Sequence, residues 1–457
     1  MEPLHYDDLP SPANRWLGLS ALSDMSRDYL GLLTRLKQEQ GDMVRLPILS
    51  EKTLDLFDPE LVRRLMVEHA DALIRWERGT EVFSESVGQS VLVTEGATWQ
   101  RQRRLLMQAF TPRKVAGYAA LMAEAGEAGL SELQPGIIAM DGLFSRLTMD
   151  VISRTLFSRP IGPNTDEAAA AVQRLSEIGL REMFWPATLP DWLPLPGKAG
   201  KRRALALING LLHERINERR HSGEQLSDLL GMLLSVRDDE GGGALSEQEV
   251  FDQCMLSFQA GHETSATALL WWSWLMARHP EAQQRAADEV AQALAGRTPV
   301  PEEMVKLPWL TATLKEAMRL YPPAAALLTR RLTRDVDLTL NDGRQLRIPR
   351  RTMVRITPWL LHRDPRSWPE GPDEFRPERF LPGAPHEIPR GAYLPFGQGP
   401  RVCLGQHFAM LEMQILAAQL LQRWRLRLVD GEPEPVPRLA VTLRPAGGLR
   451  LRLEAAA

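Results

Sequence analysis

The chain has 457 residues, of which 44% are hydrophobic and 25% are charged, and its formal net charge is −3. A chain of this length can bury a large core, and its near-neutral charge argues against nucleic acid as a partner. Its two cysteines are too few for a disulfide framework or a four-cysteine metal site, and this scarcity suits a reducing compartment.

The N-terminal segment, MEPLHYDDLPSPANRWLG, is acidic and is interrupted by proline residues. It contains no apolar run of the kind that a signal peptide or a membrane anchor needs. We therefore expect a cytoplasmic protein with no membrane anchor.

Helical patterns dominate the chain from about residue 60 to about residue 325. Short alternating segments at 44–49, 336–340 and 449–454 predict a few β-strands. The breaks between these elements lack the length and composition of a flexible linker. The sequence predicts a mainly α fold with small β-sheets, organised as one catalytic domain over residues 1–457 with a β-rich N-terminal part and a helix-rich lobe.

The first motif in chain order is WQRQRRLLMQAF, in which Trp99 and Arg103 lie four residues apart. Residues at this spacing share one face of a helix. On its own, the segment is typical of an ordinary basic amphipathic helix, so its meaning depends on the rest of the chain.

A long helix is predicted in the middle of the chain. Ser246 and Glu249 form a capping-box pattern at its start and Pro280 marks its end, which gives about 33 residues, or about 50 Å of helix. Within it, AGHET (260–264) places a patch without large side chains beside an acid and a hydroxyl. One interpretation is a helix-packing glycine, a solvated glutamate and a threonine bonded back to a carbonyl. The other interpretation is that these residues form a notch in the helix that has a role in function.

Further along, LKEAMRLYPP carries Glu316 and Arg319 one helical turn apart, and FRPERF (375–380) carries Arg379. An ion pair at this spacing is common on helices and contributes only a few tenths of a kcal/mol at an exposed site. By themselves, these residues do not indicate a function.

The segment FGQGPRVCLG, residues 396–405, holds one of the two cysteines in a glycine-rich turn just before a predicted helix. A single cysteine is most often a small buried hydrophobic residue. Here, however, the position before a helix N-terminus favours a thiolate. Gly405 would allow a flat group to approach closely, and Arg401 presents a guanidinium suited to a carboxylate. A thiolate, a close-approach glycine and a carboxylate-binding arginine together suggest haem.

The cysteine loop resembles that of the cytochrome P450 superfamily, the haem-thiolate monooxygenases, at five positions: Phe396, Gly399, Arg401, Cys403 and Gly405. The three other motifs are similar to motifs of that family and occur in the family's order. The resemblance covers nearly the whole chain. It implies the cytochrome P450 fold, with haem b (iron protoporphyrin IX) held between the long central helix and the cysteine loop.

The resemblance also implies a role for each motif. The axial ligand of the haem iron would be Cys403, and the side chains that bind the haem propionates would be Trp99, Arg103 and Arg401. The segment that is similar to the family's oxygen-activation motif, in which small residues make room for dioxygen and the acid and hydroxyl manage protons, comprises Ala260, Gly261, Glu263 and Thr264. The residues that would support the haem-side core without taking part in chemistry are Glu316, Arg319 and Arg379. We expect His262 and Cys254 to be packed residues rather than ligands.

A member of this family would hydroxylate or epoxidise a hydrophobic small molecule. The sequence has no glycine-rich dinucleotide fingerprint and no cysteine set for an iron–sulfur cluster, so we expect electrons from a separate ferredoxin or flavodoxin with its NAD(P)H-dependent reductase. The basic residues that could steer such an acidic partner, or that could form an ordinary solvated face, are Arg101, Arg104, Arg113 and Lys114.

By position in the family, the substrate pocket would be lined mainly by apolar side chains: Val87, Val91, Leu92, Met183, Phe184, Phe258, Ala325, Leu327, Leu328 and Val441. Such a lining suits a fatty acid, a terpenoid, a steroid or a polyketide-like molecule and does not rank them. Arg181, near the predicted entrance, could meet a carboxylate or simply face solvent. The alternatives to a monooxygenase are a haem-thiolate peroxygenase or isomerase and a non-catalytic haem module, and both are disfavoured by the retention of Glu263 and Thr264.

Overall fold

Helices form most of the chain in the computed structural model, which describes residues 3–13, 18–162, 164–185, 187–224, 226–238, 243–326 and 328–456. The α-helices are α1 Leu19–Gln40, α2 Pro59–Arg63, α3 Glu77–Val87, α4 Gly96–Met107, α5 Pro112–Ala116, α6 Ala119–Ser131, α7 Met140–Phe157, α8 Thr165–Met183, α9 Lys198–Ser222, α10 Leu229–Ser235, α11 Glu247–Arg278, α12 Pro280–Leu294, α13 Pro301–Met304, α14 Pro308–Leu320, α15 Pro358–Leu361 and α16 Gln406–Arg423. The mainly α fold with small sheets that the sequence predicts is confirmed.

The strands are short and form several small sheets. They are β1 Leu4–His5, β2 Met43–Arg45, β3 Thr53–Leu56, β4 Leu73–Arg75, β5 Gly136–Ala139, β6 Arg237–Asp238, β7 Gly243–Ala244, β8 Arg330–Leu332, β9 Val336–Thr339, β10 Gln345–Ile348, β11 Met353–Ile356, β12 Trp424–Arg427, β13 Pro437–Leu439, β14 Leu443–Pro445 and β15 Arg450–Ala455. A five-stranded sheet has the order β2-β3-β11-β8-β4, and two three-stranded sheets have the orders β1-β10-β9 and β12-β15-β5. Strands β13 and β14 pair as an antiparallel hairpin, and β6 pairs with β7.

The sequence prediction of strands succeeds where one face is solvated. Val336–Thr339 alternates between buried and exposed residues, and so does most of Arg450–Ala455, as their sequence patterns indicate. Thr53–Leu56 and Met353–Ile356 escape prediction because all their residues are buried, which removes the alternation. The predicted strand at 44–49 ends early at Arg45, and the chain then turns.

The central helix α11 begins and ends as its sequence predicts. The Ser246 hydroxyl accepts a hydrogen bond from the Glu249 N–H, and the Glu249 carboxylate accepts one from the Ser246 N–H, so two otherwise unpaired donors are satisfied. The helix then runs for 32 residues, packed along α7. Despite this length, no helix in the described ranges is both long and apolar enough to cross a membrane.

Two tryptophans fix α11 to the rest of the core. Trp271 is fully buried, stacks on Tyr321 with ring centroids 3.9 Å apart, and donates a hydrogen bond to the Leu443 carbonyl at the start of strand β14. Trp272 is also buried and donates to the Thr313 hydroxyl on α14. Because both indole N–H groups are paired, the core holds these large side chains without an unsatisfied donor.

Glu316 and Arg319 form a buried pair on α14. Two hydrogen bonds of 2.7 and 2.8 Å join their side chains, and neither side chain is exposed. Arg319 also donates to the carbonyls of three residues in the following loop region: His362, Pro372 and Glu374. A fully buried ion pair is tolerated only when its remaining donors are satisfied, and here the carbonyls do so. The pair therefore organises the loop rather than a surface.

Arg379 lies beside this pair but bonds elsewhere. Its Nε atom is 3.6 Å from the Glu316 carboxylate, and its guanidinium donates to backbone carbonyls of Pro369, Glu370 and Gly371. The hydrogen bond to Glu316 from this segment comes instead from the backbone N–H of Arg376, at 2.9 Å. The positive charge of Arg379 thus lies beside the Glu316–Arg319 pair, and its guanidinium holds the loop through hydrogen bonds to the main-chain carbonyls of the loop.

A second buried carboxyl group lies on α16. Glu412 is fully buried, and neither of its oxygens has a hydrogen-bond partner among the described residues. The Ser265 hydroxyl of α11 lies near it without standard hydrogen-bond geometry. Burial raises the pKa of Glu412 to about 8, so this side chain is neutral at pH 7.

We expect the substitution Glu412→Gln to stabilise the protein selectively at alkaline pH. The folded-state pKa lies above the ordinary glutamate value of 4.5, so the stability contributed by this carboxyl is fully present below that value and is lost as pH rises to about 8. Glutamine is neutral at every pH and avoids this loss. Thermal unfolding at about pH 5 and about pH 8.5 should show a midpoint difference, variant minus wild type, that grows by a few degrees with pH.

The matched control is Glu387→Gln, which removes an exposed carboxylate in a loop. Its midpoint difference should stay constant between the two pH values. A Glu412→Gln difference that is equally constant would contradict the neutral, buried state of this carboxyl.

Candidate haem-thiolate site

The cysteine loop is held by main-chain contacts that require glycine. Gly397 and Gly399 both have φ of 74°, a region that other residues rarely adopt. A β-carbon at Gly399 would also lie 2.3 Å from the carbonyl oxygen of Met66. The Cys403 N–H then donates to the Phe396 carbonyl at 2.9 Å, which folds the loop back and fixes the sulfur just before α16.

Cys403 is accessible to solvent although it lies inside the protein. Burial raises the pKa of the Cys403 thiol, whereas the Gly405 N–H and the guanidinium groups of Arg103 and Arg75 act to lower it. A metal-bound thiol is deprotonated outright, so a metal at this sulfur would overcome the effect of burial.

Helix α11 presents a second internal surface that lacks protein contacts. Ala260 is exposed and Thr264 is half-buried, although the residues from 265 to 277 on the same helix are buried. The Thr264 hydroxyl donates to the Ala260 carbonyl one turn back, at 2.8 Å. These two residues share one face of the helix, which a flat group lying between α11 and the cysteine loop would cover.

Gly261 faces a different direction from the one the resemblance implies. A β-carbon there would lie 2.9 Å from Ile152 on α7, so the missing side chain allows α11 and α7 to pack closely. Successive helix residues point about 100° apart, so Gly261 and Ala260 lie on different sides of α11. The helix-packing interpretation holds for this glycine.

Four arginine side chains surround the cysteine loop: Arg75, Arg103, Arg330 and Arg401. Burial lowers the pKa of Arg75 to about 9 and the pKa values of Arg330 and Arg401 to about 10, and it also lowers the pKa of Arg103. Guanidinium groups keep their proton in proteins. The lowered pKa values therefore show that buried positive charge lacks compensation here.

The contacts of these arginines leave most of their charge unpaired. Arg103 donates to the Val402 carbonyl at 3.0 Å, and Arg330 donates only to the carbonyl of its neighbour Thr329 at 2.9 Å. The Nε atom of Arg75 has no partner in the described structure. Arg401 alone reaches a carboxylate, that of Glu95.

Trp99 lies between two of these arginines. The guanidinium of Arg401 is 3.8 Å from the Trp99 ring centroid, and that of Arg103 is 5.9 Å from it. Both distances suit a cation–π interaction. The aromatic ring thus fixes the two guanidinium groups and shields them from water.

The charges of this cluster match a haem-thiolate group. Four guanidinium groups face one carboxylate, Glu95, which leaves three positive charges uncompensated. The two propionates of a haem would compensate two of these charges. The donors present therefore fit haem, with Cys403 as the iron ligand and the arginines around the propionates.

Arg75 and Arg330 were not predicted from the sequence. Arg330 and Arg331 are neighbours on β8 and point to opposite faces of the sheet. Arg331 pairs with Glu51 and Glu77 at 2.5 and 2.9 Å, whereas Arg330 points to the cluster. The signal that could have found Arg330 is an arginine inside a strand whose residues are all buried, and that burial is invisible in a single sequence.

Glu263 does not bond to Thr264. Its carboxylate is buried and accepts hydrogen bonds from the Ser176 hydroxyl on α8 and from the Thr442 hydroxyl, the latter at 2.8 Å. The Nε atom of Arg444 lies 3.7 Å from the same carboxylate. The acid and the hydroxyl of the motif thus occupy different faces of α11.

His262 and Cys254 are packed residues on α11. Both are fully buried, and neither ring nitrogen of His262 has a hydrogen-bond partner among the described residues. Burial lowers the pKa of His262 to about 3, so the ring is neutral, and burial raises the pKa of the Cys254 thiol.

The structure places the predicted substrate-lining residues in several parts of the core. Phe258 and Val91 pack in the largest core cluster, and Ala325 packs with Leu30 and Leu443. Val87 and Met183 are also buried, and Leu92 and Val441 are half-buried. Leu327 lies outside the described residues.

Two of these residues have informative neighbours. Leu328 lies beside Gly397 of the cysteine loop. Phe184 packs against Tyr29 of α1, with ring centroids 6.1 Å apart, and lines a cavity of about 990 Å³ between α1, α8 and the β13–β14 hairpin. We call this space the α1–α8 cavity. Arg181 also lines it and is exposed, as its predicted place near an entrance requires.

The basic residues predicted to meet a redox partner differ in their contacts. Arg101 pairs with Glu249, the capping residue of α11, and donates to the Ala244 carbonyl. Arg113 and Lys114, on α5, are exposed. Arg101 is thus partly neutralised within the protein.

A candidate thiolate ligand among guanidinium groups, together with a helix surface that carries a small residue and a threonine, is the arrangement expected of a haem-thiolate protein. The chain matches the model of the Cytochrome P450 family over residues 9–451 and belongs to that family. Three bacterial relatives are similar over most of their length. Cyclooctatin synthase of Streptomyces melanosporofaciens is 35% identical, with 93% of this chain and 91% of the relative covered. Cyclooctat-9-en-7-ol 5-monooxygenase of the same organism is 33% identical (86% and 84% covered), and pentalenene oxygenase of Streptomyces avermitilis is 30% identical (91% and 90% covered).

We expect the substitution Arg330→Gln to weaken haem retention by about tenfold to a hundredfold, because it removes a charge-assisted hydrogen bond to a propionate. The measurement is the rate at which haem transfers from the purified protein to an excess of an apoprotein acceptor.

Arg331→Gln is the matched control, since it removes an arginine from the other face of the same strand. It should lose its ion pairs to Glu51 and Glu77 and keep the wild-type rate of haem transfer. Equal rates of haem loss from both variants would show that Arg330 acts through strand stability alone.

Proposed function

We propose that this protein is a haem b-dependent monooxygenase that oxidises a cyclic terpenoid, with electrons from a ferredoxin or flavodoxin and its NAD(P)H-dependent reductase. The observation that carries the proposal is the unpaired guanidinium cluster around Cys403, opposite Ala260 and Thr264. We also propose that residues 1–457 form one catalytic domain and that the protein acts in the cytoplasm.

The choice of haem b follows from the cysteines. A covalently attached haem needs further cysteines beside the ligand, and the chain has only Cys254 besides Cys403. Cys254 is buried in α11 and packed in the core. Haem would therefore be held by the Cys403 sulfur and by the propionate contacts of the arginines.

Each residue of the site has a task that its position supports. When bound, the haem iron activates dioxygen for insertion into a C–H or C=C bond. Ala260 leaves space on the α11 surface, and the Thr264 hydroxyl holds a proton beside that space. Arg103 and Arg401 orient the cofactor by its carboxylates, and α11 excludes bulk water from the other side.

The terpenoid class rests on the relatives. The names of pentalenene oxygenase and cyclooctat-9-en-7-ol 5-monooxygenase refer to an alkene and to an unsaturated alcohol, and similarity to these proteins extends over most of this chain. The apolar residues predicted for the pocket suit such a substrate. These observations favour a terpenoid over the fatty acid, steroid and polyketide-like alternatives.

The test is a visible absorption titration of the purified ferric protein. A panel of terpene hydrocarbons and their alcohols should shift the spectrum from low to high spin, and fatty acids, steroids and macrolides should not. The reduced protein with carbon monoxide should show the red-shifted band of a thiolate-ligated haem. Absence of that band would contradict the role of Cys403, and a spin shift by fatty acids alone would contradict the substrate class.

We expect the substitution Thr264→Ala to uncouple electron use from product formation. Without the hydroxyl, proton delivery at this position is lost, and product formation should fall on the order of 10²-fold while NAD(P)H consumption continues. The measurement compares NAD(P)H consumed, hydrogen peroxide released and product formed.

Thr264→Ser, which keeps the hydroxyl, is the control and should retain most of the coupling. Both variants should keep the wild-type haem content, because Thr264 makes its hydrogen bond within α11. An unchanged ratio of product to NAD(P)H in Thr264→Ala would contradict the proton-holding role.

A further inference from the structure

The carboxylate of Glu263 is held from two sides. One oxygen accepts a hydrogen bond from Ser176 on α8, and the other accepts one from Thr442, beside strand β14. Arg444 on β14 lies 3.7 Å from the second oxygen, and its Nε atom lies 3.4 Å from the Thr442 hydroxyl. We call Ser176, Thr442 and Arg444 the Glu263 clamp.

The elements that carry the clamp also form walls of the α1–α8 cavity. The residues of α8 on either side of Ser176, including Gln173 and Glu177, line this cavity, and so does Arg444 itself. The Nη2 atom of Arg444 is buried and has no hydrogen-bond partner among the described residues. Arg444 therefore lies between the buried acid of α11 and the cavity.

We infer that Thr442 and Arg444 are positioning residues that orient the Glu263 carboxylate and set its charge. Through the hydrogen bond from Ser176, the orientation and charge of the carboxylate also depend on α8 lying against the hairpin. The inference rests on the proposed function, together with the proton-managing role that the resemblance implies for Glu263. It assigns the supply of protons to the side of the α1–α8 cavity, because the elements that carry the clamp form walls of this cavity and Arg444 lines it.

The electrostatics agree with this geometry. Burial raises the pKa of Glu263, and Arg444 opposes burial most strongly, followed by the hydrogen bonds from Ser176 and Thr442. Glu177 on α8 raises the pKa further. Two other groups face Arg444: His262 on α11, which is neutral, and Asp141 on α7, whose pKa is raised by burial.

Each residue of the clamp therefore lowers the pKa of Glu263. Arg444, Ser176 and Thr442 all favour the ionised carboxylate, so removal of any one of them should move its titration to higher pH. Withdrawal of α8 would remove the contact with Ser176 and the charge of Glu177 together. These two contributions to the pKa of Glu263 have opposite signs, because Ser176 lowers it and Glu177 raises it, so the definite sign belongs to each clamp residue taken singly.

The experiment is an infrared pH titration of the haem-loaded ferric protein, which follows the C=O stretch of protonated carboxyl groups. The variant Glu263→Gln identifies the band by its loss. In Arg444→Gln and in the near-isosteric Thr442→Val, the midpoint of that band should shift to higher pH, and Arg444→Lys should restore it toward the wild-type value. The pH dependence of product formed per NAD(P)H consumed should move in the same direction.

Arg438→Gln is the matched control, because Arg438 lines the same cavity from β13 and no hydrogen bond or ion pair of its side chain appears among the described residues. Its midpoint should equal that of the wild type. An unchanged midpoint in Arg444→Gln and Thr442→Val, or an equal shift in Arg438→Gln, would overturn the inference.

The outcomes separate this inference from the proposed function. Loss of the thiolate-haem spectrum or of oxygenated product in the wild-type protein would refute the proposed function. Normal turnover by the wild type, together with unchanged carboxyl midpoints in the clamp variants, would refute the clamp alone.

Discussion

Uncompensated positive charge around Cys403 is the constraint on which the rest of the site depends. Four buried guanidinium groups with one carboxylate among them would repel one another in a low-dielectric interior. Main-chain carbonyls and the Trp99 ring stabilise part of this charge, and the two propionates of a haem would compensate more of it. The neighbouring strands and helices must hold these side chains at fixed positions for that compensation to occur.

The surrounding fold supplies this rigidity through buried hydrogen bonds and close main-chain contacts. Glu316 and Arg319 tie α14 to a loop region by several hydrogen bonds, and the glycines of the cysteine loop allow main chain to contact main chain. The indole N–H of Trp271 on α11 donates to the Leu443 carbonyl and so holds the start of strand β14 against the helix. The helix that carries Thr264 is thus fixed at Trp271, about two turns beyond that residue. The hairpin next to Glu263 is fixed by the same contact.

Local signals in the sequence predict a large part of this architecture. The capping box at Ser246 defines the start of α11, and the i,i+3 spacing of Glu316 and Arg319 places them on one helix face. The glycines of the loop indicate its turn. Arg330 and the contacts of Glu263 could not be predicted, because they depend on pairs separated by 87 and 179 residues or on which face of a strand is buried. Gly261 was grouped with its neighbours by the motif, although the helix turns it toward α7.

The contact between Gly399 and Met66 has a consequence for sequence variation. One side of the contact is a carbonyl oxygen, which every amino acid provides, and the other is the absence of a β-carbon, which only glycine provides. Position 66 can therefore accept other apolar residues during evolution without disturbing the sulfur, whereas position 399 has no substitute. The two partners of one contact are under unequal selection, and a mutational scan of the chain would record the interaction at only one of them.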